Sequence, residues 1–155
     1  MKSGFFVRVL IMFFGILPLL AACGGGRSYH GSLQCAPYAR KITGVELQGA
    51  AYSWWYQSRG KYYRTKRPEP GAILVFRKTS RLPYGHVSVV KKLQDSRTII
   101  VDHANWEAQR IDHKAPIIDV SSRNDWSLVR VWWAPTGKIG IKRYATYGFI
   151  IPNKS

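Results

Sequence analysis

Apolar residues run along this chain in three rhythms. The first is a continuous run, Val9–Leu20 (VLIMFFGILPLL), interrupted only by Gly15 and Pro18. It is shorter than the roughly 20 apolar residues a membrane-spanning helix needs, and it follows the short basic stretch Met1–Arg8, which is the order of a secretory signal peptide. The second rhythm is helical. Cys35–Ile42 predicts a short helix whose first turn tolerates Pro37, because the missing N–H has no partner to lose there. Leu47–Ser58 (LQGAAYSWWYQS) predicts a second helix, with Leu47, Ala50, Ala51, Trp54 and Ser58 at helical spacing and Gly60 beyond its end. The third rhythm is that of strands: β-branched runs bounded by turns. These are Gly71–Phe76 after RPEP, His86–Lys92 after LPYG, Arg97–Ala104 after QDS, and Leu128–Trp133. Helices first and strands afterwards predict an α+β fold with an antiparallel sheet. Residues 32–135 then form the domain. Residues 136–155 stand as a C-terminal tail, open between an extra strand and an ordered arm.

Two short segments extend the picture at the N-terminus. Leu20–Cys23 (LAAC) places small residues before a cysteine, directly after the apolar run, and resembles the lipobox of bacterial lipoproteins. That makes residues 1–22 a lipoprotein signal and Cys23 the lipidated first residue of the mature chain. Residues 23–31, rich in glycine (GGGRSYHG from Gly24), read as a flexible tether. Ten residues from Cys23 to Leu33 span at most about 33 Å, so the domain would work close to the membrane. A lipid beside basic residues gives two membrane signals, which hold better than one. The expected location is the bacterial cell envelope, on the periplasmic face of the outer membrane.

Composition adds a charge argument. The 155 residues carry 24 Lys and Arg against 8 Asp and Glu, a formal net charge of +16. Such an imbalance favours anionic partners but says little about fold. The charge would suit nucleic acid, yet an exported lipoprotein meets little of it. The densest basic-aromatic stretch, Arg59–Pro68 (RGKYYRTKRP), therefore reads as facing anionic wall polymer or lipid headgroups, or as a solvated loop.

Candidate chemistry centres on cysteine. The chain has two, Cys23 and Cys35; an acylated Cys23 cannot form a disulfide, which leaves Cys35 alone. At a helix N-terminus its thiolate would be favoured by unsatisfied N–H groups and the helix dipole. Of the histidines, His30 lies in the tether, while His86, His103 and His113 lie in the strand region. A lone cysteine with downstream histidines is a candidate nucleophile and base, brought together only by folding. His86 opens a strand directly after Gly85. In Val101–Trp106 (VDHANW) strand alternation places His103 and Asn105 on one face and Asp102 on the other. His103 or Asn105 can then orient His86, and Asp102 only if the register shifts by one. A metal centre built from Asp102, His103, Asp112 and His113 is a rival, but their spacing matches no compact zinc site.

Six stretches, in order, resemble the CHAP domain, the cysteine- and histidine-dependent amidohydrolase/peptidase family. They are Gln34–Cys35, Gly49–Trp55 (GAAYSWW), Pro68–Phe76 (PEPGAILVF), Gly85–Val90 (GHVSVV), Val101–Trp106 (VDHANW) and Val129–Trp133 (VRVWW). The resemblance implies a papain-like core, with N-terminal helices packed on an antiparallel sheet, and a cysteine amidase or endopeptidase acting on the stem peptides of peptidoglycan. It places Cys35 as nucleophile and His86 as base, and matches Asn105 to the family's asparagine. Gln34 becomes a candidate oxyanion donor beside the Cys35 backbone N–H. The implied mechanism uses neither metal nor cofactor. Two positions depart from the pattern. Ala72 replaces a frequent aspartate, and His103 stands where the family usually has a glutamate, an arrangement similar to the Cys-His-His of NlpC-related enzymes. That substitution keeps a second reading open, a domain that binds cell wall without cleaving it. Whether a protein partner must activate the domain is not legible.

Overall fold

The structure is a computed structural model that describes residues 33–152. The signal segment, Cys23 and the tether with His30 lie outside the described residues.

The chain begins with α1, Cys35–Thr43. It ends at Gly44 in the left-handed conformation, whose N–H returns to the Arg40 carbonyl, while Arg40 and Lys41 in the last turn complement the negative end of the helix. The second helix is much shorter than the sequence predicts. Only a 3₁₀ turn at Ala51–Ser53 and the single α-turn α2, Trp54–Gln57, are helical. Gly49 has a φ of +70° and Ala50 is extended, so the helix cannot begin at Leu47. The two side-chain hydrogen bonds of Gln57 to the backbone of Gln48 hold this bend instead. The apolar positions were nonetheless correctly marked, for Leu47, Ala51 and Trp54 are all buried in one cluster.

Eight strands follow: β1 (Tyr63–Thr65), β2 (Ile73–Phe76), β3 (His86–Leu93), β4 (Thr98–Ala104), β5 (Ile111–Asp119), β6 (Leu128–Trp133), β7 (Lys138–Ile139) and β8 (Tyr144–Ile151). All pair antiparallel, in the order β1-β8-β2-β3-β4-β5-β6-β7. An additional β8–β6 pairing closes six of them into a barrel. The protein is therefore mostly strand, with few helical residues, rather than a layer of helices over an open sheet. Closure comes from the segment set apart as a tail: β8 lies between β1 and β2 and also meets β6.

Strand alternation divides the apolar residues into two cores. Leu74, Phe76, Val90, Ile99, Val101, Ala115, Ile117, Val129, Val131 and Phe149 come from all six barrel strands and fill its interior. On the outer face of β2 and β3, Ile73, Val75, Val87 and Val89 share a second cluster with Ala36 and Ala39 of α1 and with Trp54. The alanines let α1 lie close against β3, which brings the first residue of the helix, Cys35, beside the first residue of the strand, His86. Among the described residues no helix is long and apolar enough to cross a membrane.

Candidate active site

Cys35 occupies the first position of α1 and is half-buried. The backbone N–H groups of Val87, Ala36 and Cys35 itself favour its thiolate, but burial outweighs them and pushes the thiol above its ordinary value. The helix start alone therefore does not favour a free thiolate. Cys35 and His86 open into one cavity of about 490 Å³, whose wall also includes Gln34, Tyr84, Asn105 and Trp106.

His86 is placed by a close approach of backbones. Gly85 has a φ of +68°, and a Cβ built there would lie 2.7 Å from both the backbone nitrogen and the Cβ of Tyr52. Tyr52 N–H donates to the Tyr84 carbonyl at 3.1 Å, so the 3₁₀ turn is sewn to the residues that precede β3. From there β3 alternates. Val87 and Val89 face the helix cluster, while His86, Ser88 and Val90 face the barrel interior.

His103 comes to the same place from β4. Its Nδ1 lies 3.1 Å from His86 Nε2 and 3.1 Å from Ser88 Oγ. Both residues are almost wholly buried, at 3% and 1% exposure. Trp106 stacks on His103 at 5.6 Å and meets His86 edge-on at 4.9 Å, and Phe76 closes the other side of His86 at 5.4 Å. Burial depresses both imidazoles. His86 falls well below its usual range, with His103 as the second cause. His103 drops to about 4, the negative charge of Asp102 opposing burial only in part. Both rings are neutral at physiological pH, each with one donor and one acceptor nitrogen.

Asn105 reaches the cavity but makes different contacts from those the sequence suggests. It lies one residue past β4 with a φ of +59°, a conformation asparagine tolerates better than most residues. Its Nδ2 donates to Gln34 Oε1 at 3.4 Å, and its Oδ1 accepts from Gln109 N–H at 3.0 Å. Gln109 Oε1 in turn accepts from Leu33 N–H at 3.1 Å. Asn105 thus ties the β4–β5 loop to the residues just before Cys35, and it is His103 that contacts His86. Asp102 faces the other way, with Lys114 N–H at 2.9 Å, His113 Nδ1 at 3.3 Å and Lys91 Nζ at 3.9 Å. The four residues of the metal rival are accordingly split: Asp102 and His113 lie on the outer face, His103 and Asp112 on the inner.

Two contributors to the site were not anticipated. Ser88 is one, an inward-facing hydroxyl two residues after His86, readable from alternation alone. The other is Asp112, 5% exposed, whose Oδ2 lies 3.8 Å from His103 Nε2. The sequence pattern marked it only as a metal ligand, because β5 itself was not predicted.

The CHAP domain profile matches residues 24–105, more than half of the chain and including Cys35, His86, His103 and Asn105. The chain belongs to the CHAP domain family. Among solved structures, this CHAP domain is similar to an N-acetylmuramoyl-L-alanine amidase from Staphylococcus aureus, with 23% identity, a TM-score of 0.47, and coverage of 68% of this chain and 30% of that one. It spans less than a third of that amidase. It is also similar to the crystal structure of Ly7917, with 15% identity, a TM-score of 0.37, and coverage of 78% and 86% of the two chains. No curated protein matches. The family assignment of this CHAP domain rests on the profile match.

Proposed function

We propose that this protein is a peptidoglycan hydrolase that cleaves an amide bond of the stem peptide, as an N-acetylmuramoyl-L-alanine amidase or an endopeptidase, through the Cys35 thiolate. The observation that carries the reading is the shared cavity of Cys35 and His86, with His86 Nε2 held 3.1 Å from His103 Nδ1. With Nε2 so engaged, Nδ1 of His86 is the nitrogen available to the thiol. His86 takes the Cys35 proton, the thiolate attacks the amide carbonyl, and His86 returns the proton to the leaving amine. Water then hydrolyses the thioester. The oxyanion is met by the Cys35 backbone N–H at the helix start and by the side-chain amide of Gln34, which Asn105 steadies. His103 orients His86; as a neutral imidazole it stabilises the imidazolium less than a carboxylate would. The papain-like layout extends this reading to the fold, with α1 presenting the nucleophile to the base on β3.

The signal segment and lipobox support a lipid anchor at Cys23 and a place at the periplasmic face of the outer membrane. The protein as tested is the full chain in detergent, wild type and Cys35→Ala, incubated with purified sacculi. The wild type releases soluble muropeptides or new amine termini and Cys35→Ala does not. The identity of the new terminus separates amidase from endopeptidase. Equal release by both proteins would refute the cysteine mechanism. Sacculus binding by both without release would favour the second reading, a cell-wall-binding module, for which the histidine at position 103 is the specific support.

A further inference from the structure

We infer that Asp112 is a positioning residue that, through His103, decides which nitrogen of His86 carries the proton. The inference rests on the reading of Cys35 and His86 as nucleophile and base.

Asp112 is the direct cross-strand partner of His103 in the β4–β5 pairing. It faces inward because β5 carries an extra residue. Inward positions run Asp112, Ala115, Ile117, Asp119, with a first step of three instead of two. Lys114 takes a φ of +57° at that step, and the register with β4 shifts between Val101 and His103. With unbroken alternation from Ala115, Asp112 would point to solvent and His113 would stand opposite His103.

The carboxylate is oriented at both ends. Oδ1 forms an ion pair with Arg110, 2.7 Å from its Nε, and Oδ2 lies 3.8 Å from His103 Nε2. That Nε2 is buried and has no hydrogen-bond partner, so Asp112 is the polar group it faces. The distance is longer than a hydrogen bond, but the sign of the interaction is clear. An N–H directed at a carboxylate oxygen is attracted, and a lone pair directed at it is repelled. Because Arg110 already neutralises the carboxylate, the effect falls on where the His103 proton sits more than on how basic the ring is.

The consequence passes along one line. With its proton on Nε2, His103 offers Nδ1 only as an acceptor. His86 Nε2, 3.1 Å away, must then be the donor. That leaves His86 Nδ1 as a lone pair, the form a general base toward Cys35 requires. If the His103 proton sat on Nδ1 instead, His86 would accept at Nε2 and carry its own proton on Nδ1, and no base would face the thiol. Ser88 Oγ, at 3.1 Å from the same His103 Nδ1, can donate to it in the first arrangement and accept from it in the second, so it follows the choice without making it.

Asp112→Asn tests this directly. Arg110 Nε holds the carbonyl oxygen of the new amide, so its NH₂ group turns to His103 Nε2 and makes that nitrogen an acceptor. The proton moves to Nδ1 and the line inverts. The measurement is ¹⁵N NMR of the full chain labelled at histidine, with His30→Gln and His113→Gln simplifying the spectrum, alongside the rate of Cys35 alkylation by iodoacetamide. The expected wild-type spectrum shows His103 and His86 both protonated at Nε2, and Asp112→Asn shows both at Nδ1. Alkylation and kcat on sacculi then fall by about 10- to 100-fold with little change in KM, the range over which the outer partners of a working histidine act. Wild-type His103 protonated at Nδ1, or unchanged tautomers in Asp112→Asn, would overturn the inference. The wild-type spectrum decides even if the variant does not fold. Neither spectrum nor alkylation uses substrate, so a protein with the expected tautomers that fails to cleave sacculi refutes the proposed function and leaves this inference standing.

Discussion

Burying two imidazoles in a barrel makes the fold sensitive to acid, and the size of the effect follows from His103. Its ordinary value of 6.5 is lowered to about 4 by burial. The folded protein therefore binds this proton less readily than the unfolded chain. Between those two values the unfolded state is protonated and the folded state is not, so stability is lost as pH falls from about 6.5 toward 4 and is fully present above 6.5. A displacement from 6.5 to about 4 corresponds to about 3.4 kcal/mol when complete, and about 2 kcal/mol of it is already lost between pH 7 and pH 5. His86, also held well below its ordinary value by burial, adds to the loss in the same direction. Against a domain stability on the order of 5–15 kcal/mol this is a large fraction.

The perturbation is His103→Gln, which keeps a polar side chain and removes the titration. The assay is urea unfolding followed by tryptophan fluorescence at pH 7 and at pH 5 for each protein. The compared quantity is each protein's own loss between the two pH values, so the cost of the substitution itself cancels. So do carboxylates common to both proteins. The wild type loses about 2 kcal/mol more than His103→Gln. Removing His103 also removes one cause of His86's depression, which shrinks the variant's loss further. Equal losses in the two proteins would refute the claim that these rings are buried neutral.

Three further outcomes follow from the same geometry. Gly85→Ala puts a Cβ 2.7 Å from the Tyr52 backbone at a φ of +68°; it lowers stability by about 3 kcal/mol in a denaturant titration and, by displacing His86, lowers sacculus hydrolysis too. Asp119→Ala removes the acceptor of Ser121 N–H at 2.8 Å and Trp126 N–H at 3.2 Å, and the 3.8 Å partner of Arg97; it costs about 3 kcal/mol of stability while the alkylation rate of Cys35 stays unchanged. Ser88→Ala leaves His103 Nδ1 to His86 alone and keeps hydrolysis within about threefold of wild type, whereas a drop comparable to that of His103→Ala would make Ser88 a working part of the site.

How much of this was legible depended on whether inward positions are apolar. β2, β3, β4 and β6 were readable because their buried faces are runs of valine, isoleucine and leucine. β5 was not, because two of its inward residues are Asp112 and Asp119, Pro116 interrupts it, and the bulge at Lys114 breaks the period of two. β8 reads as a strand by composition (YATYGFII), but nothing local says that it returns to the middle of the sheet. In Leu47–Ser58 the spacing of buried residues suited a helix, while Gly49 bent the chain and let the same residues reach the same cluster without one. For the site, local pattern supplied Cys35 at a helix start and His86 and His103 on facing strands. It did not supply Asp112, whose place depends on a register shift.

The barrel's closure explains why those unreadable elements matter to the chemistry. An open sheet would leave the inner ends of β3 and β4 wet, and His86 and His103 would titrate near their ordinary values with water competing for every ring nitrogen. Because β8 joins β2 to β6, and Trp106 and Phe76 cover the rim, the two rings sit in an interior where, apart from the side of His86 that shares the cavity with Cys35, the ring nitrogens meet only each other, Ser88 and Asp112. That enclosure keeps the base unprotonated and makes its tautomer matter. It also produces the acid sensitivity, so the thermodynamic measurement at pH 5 and the spectroscopic one on Asp112→Asn probe a single structural cause from opposite sides. A barrel that lost stability in acid only through its carboxylates would have to be wet at this end, and the tautomer line would fail with it.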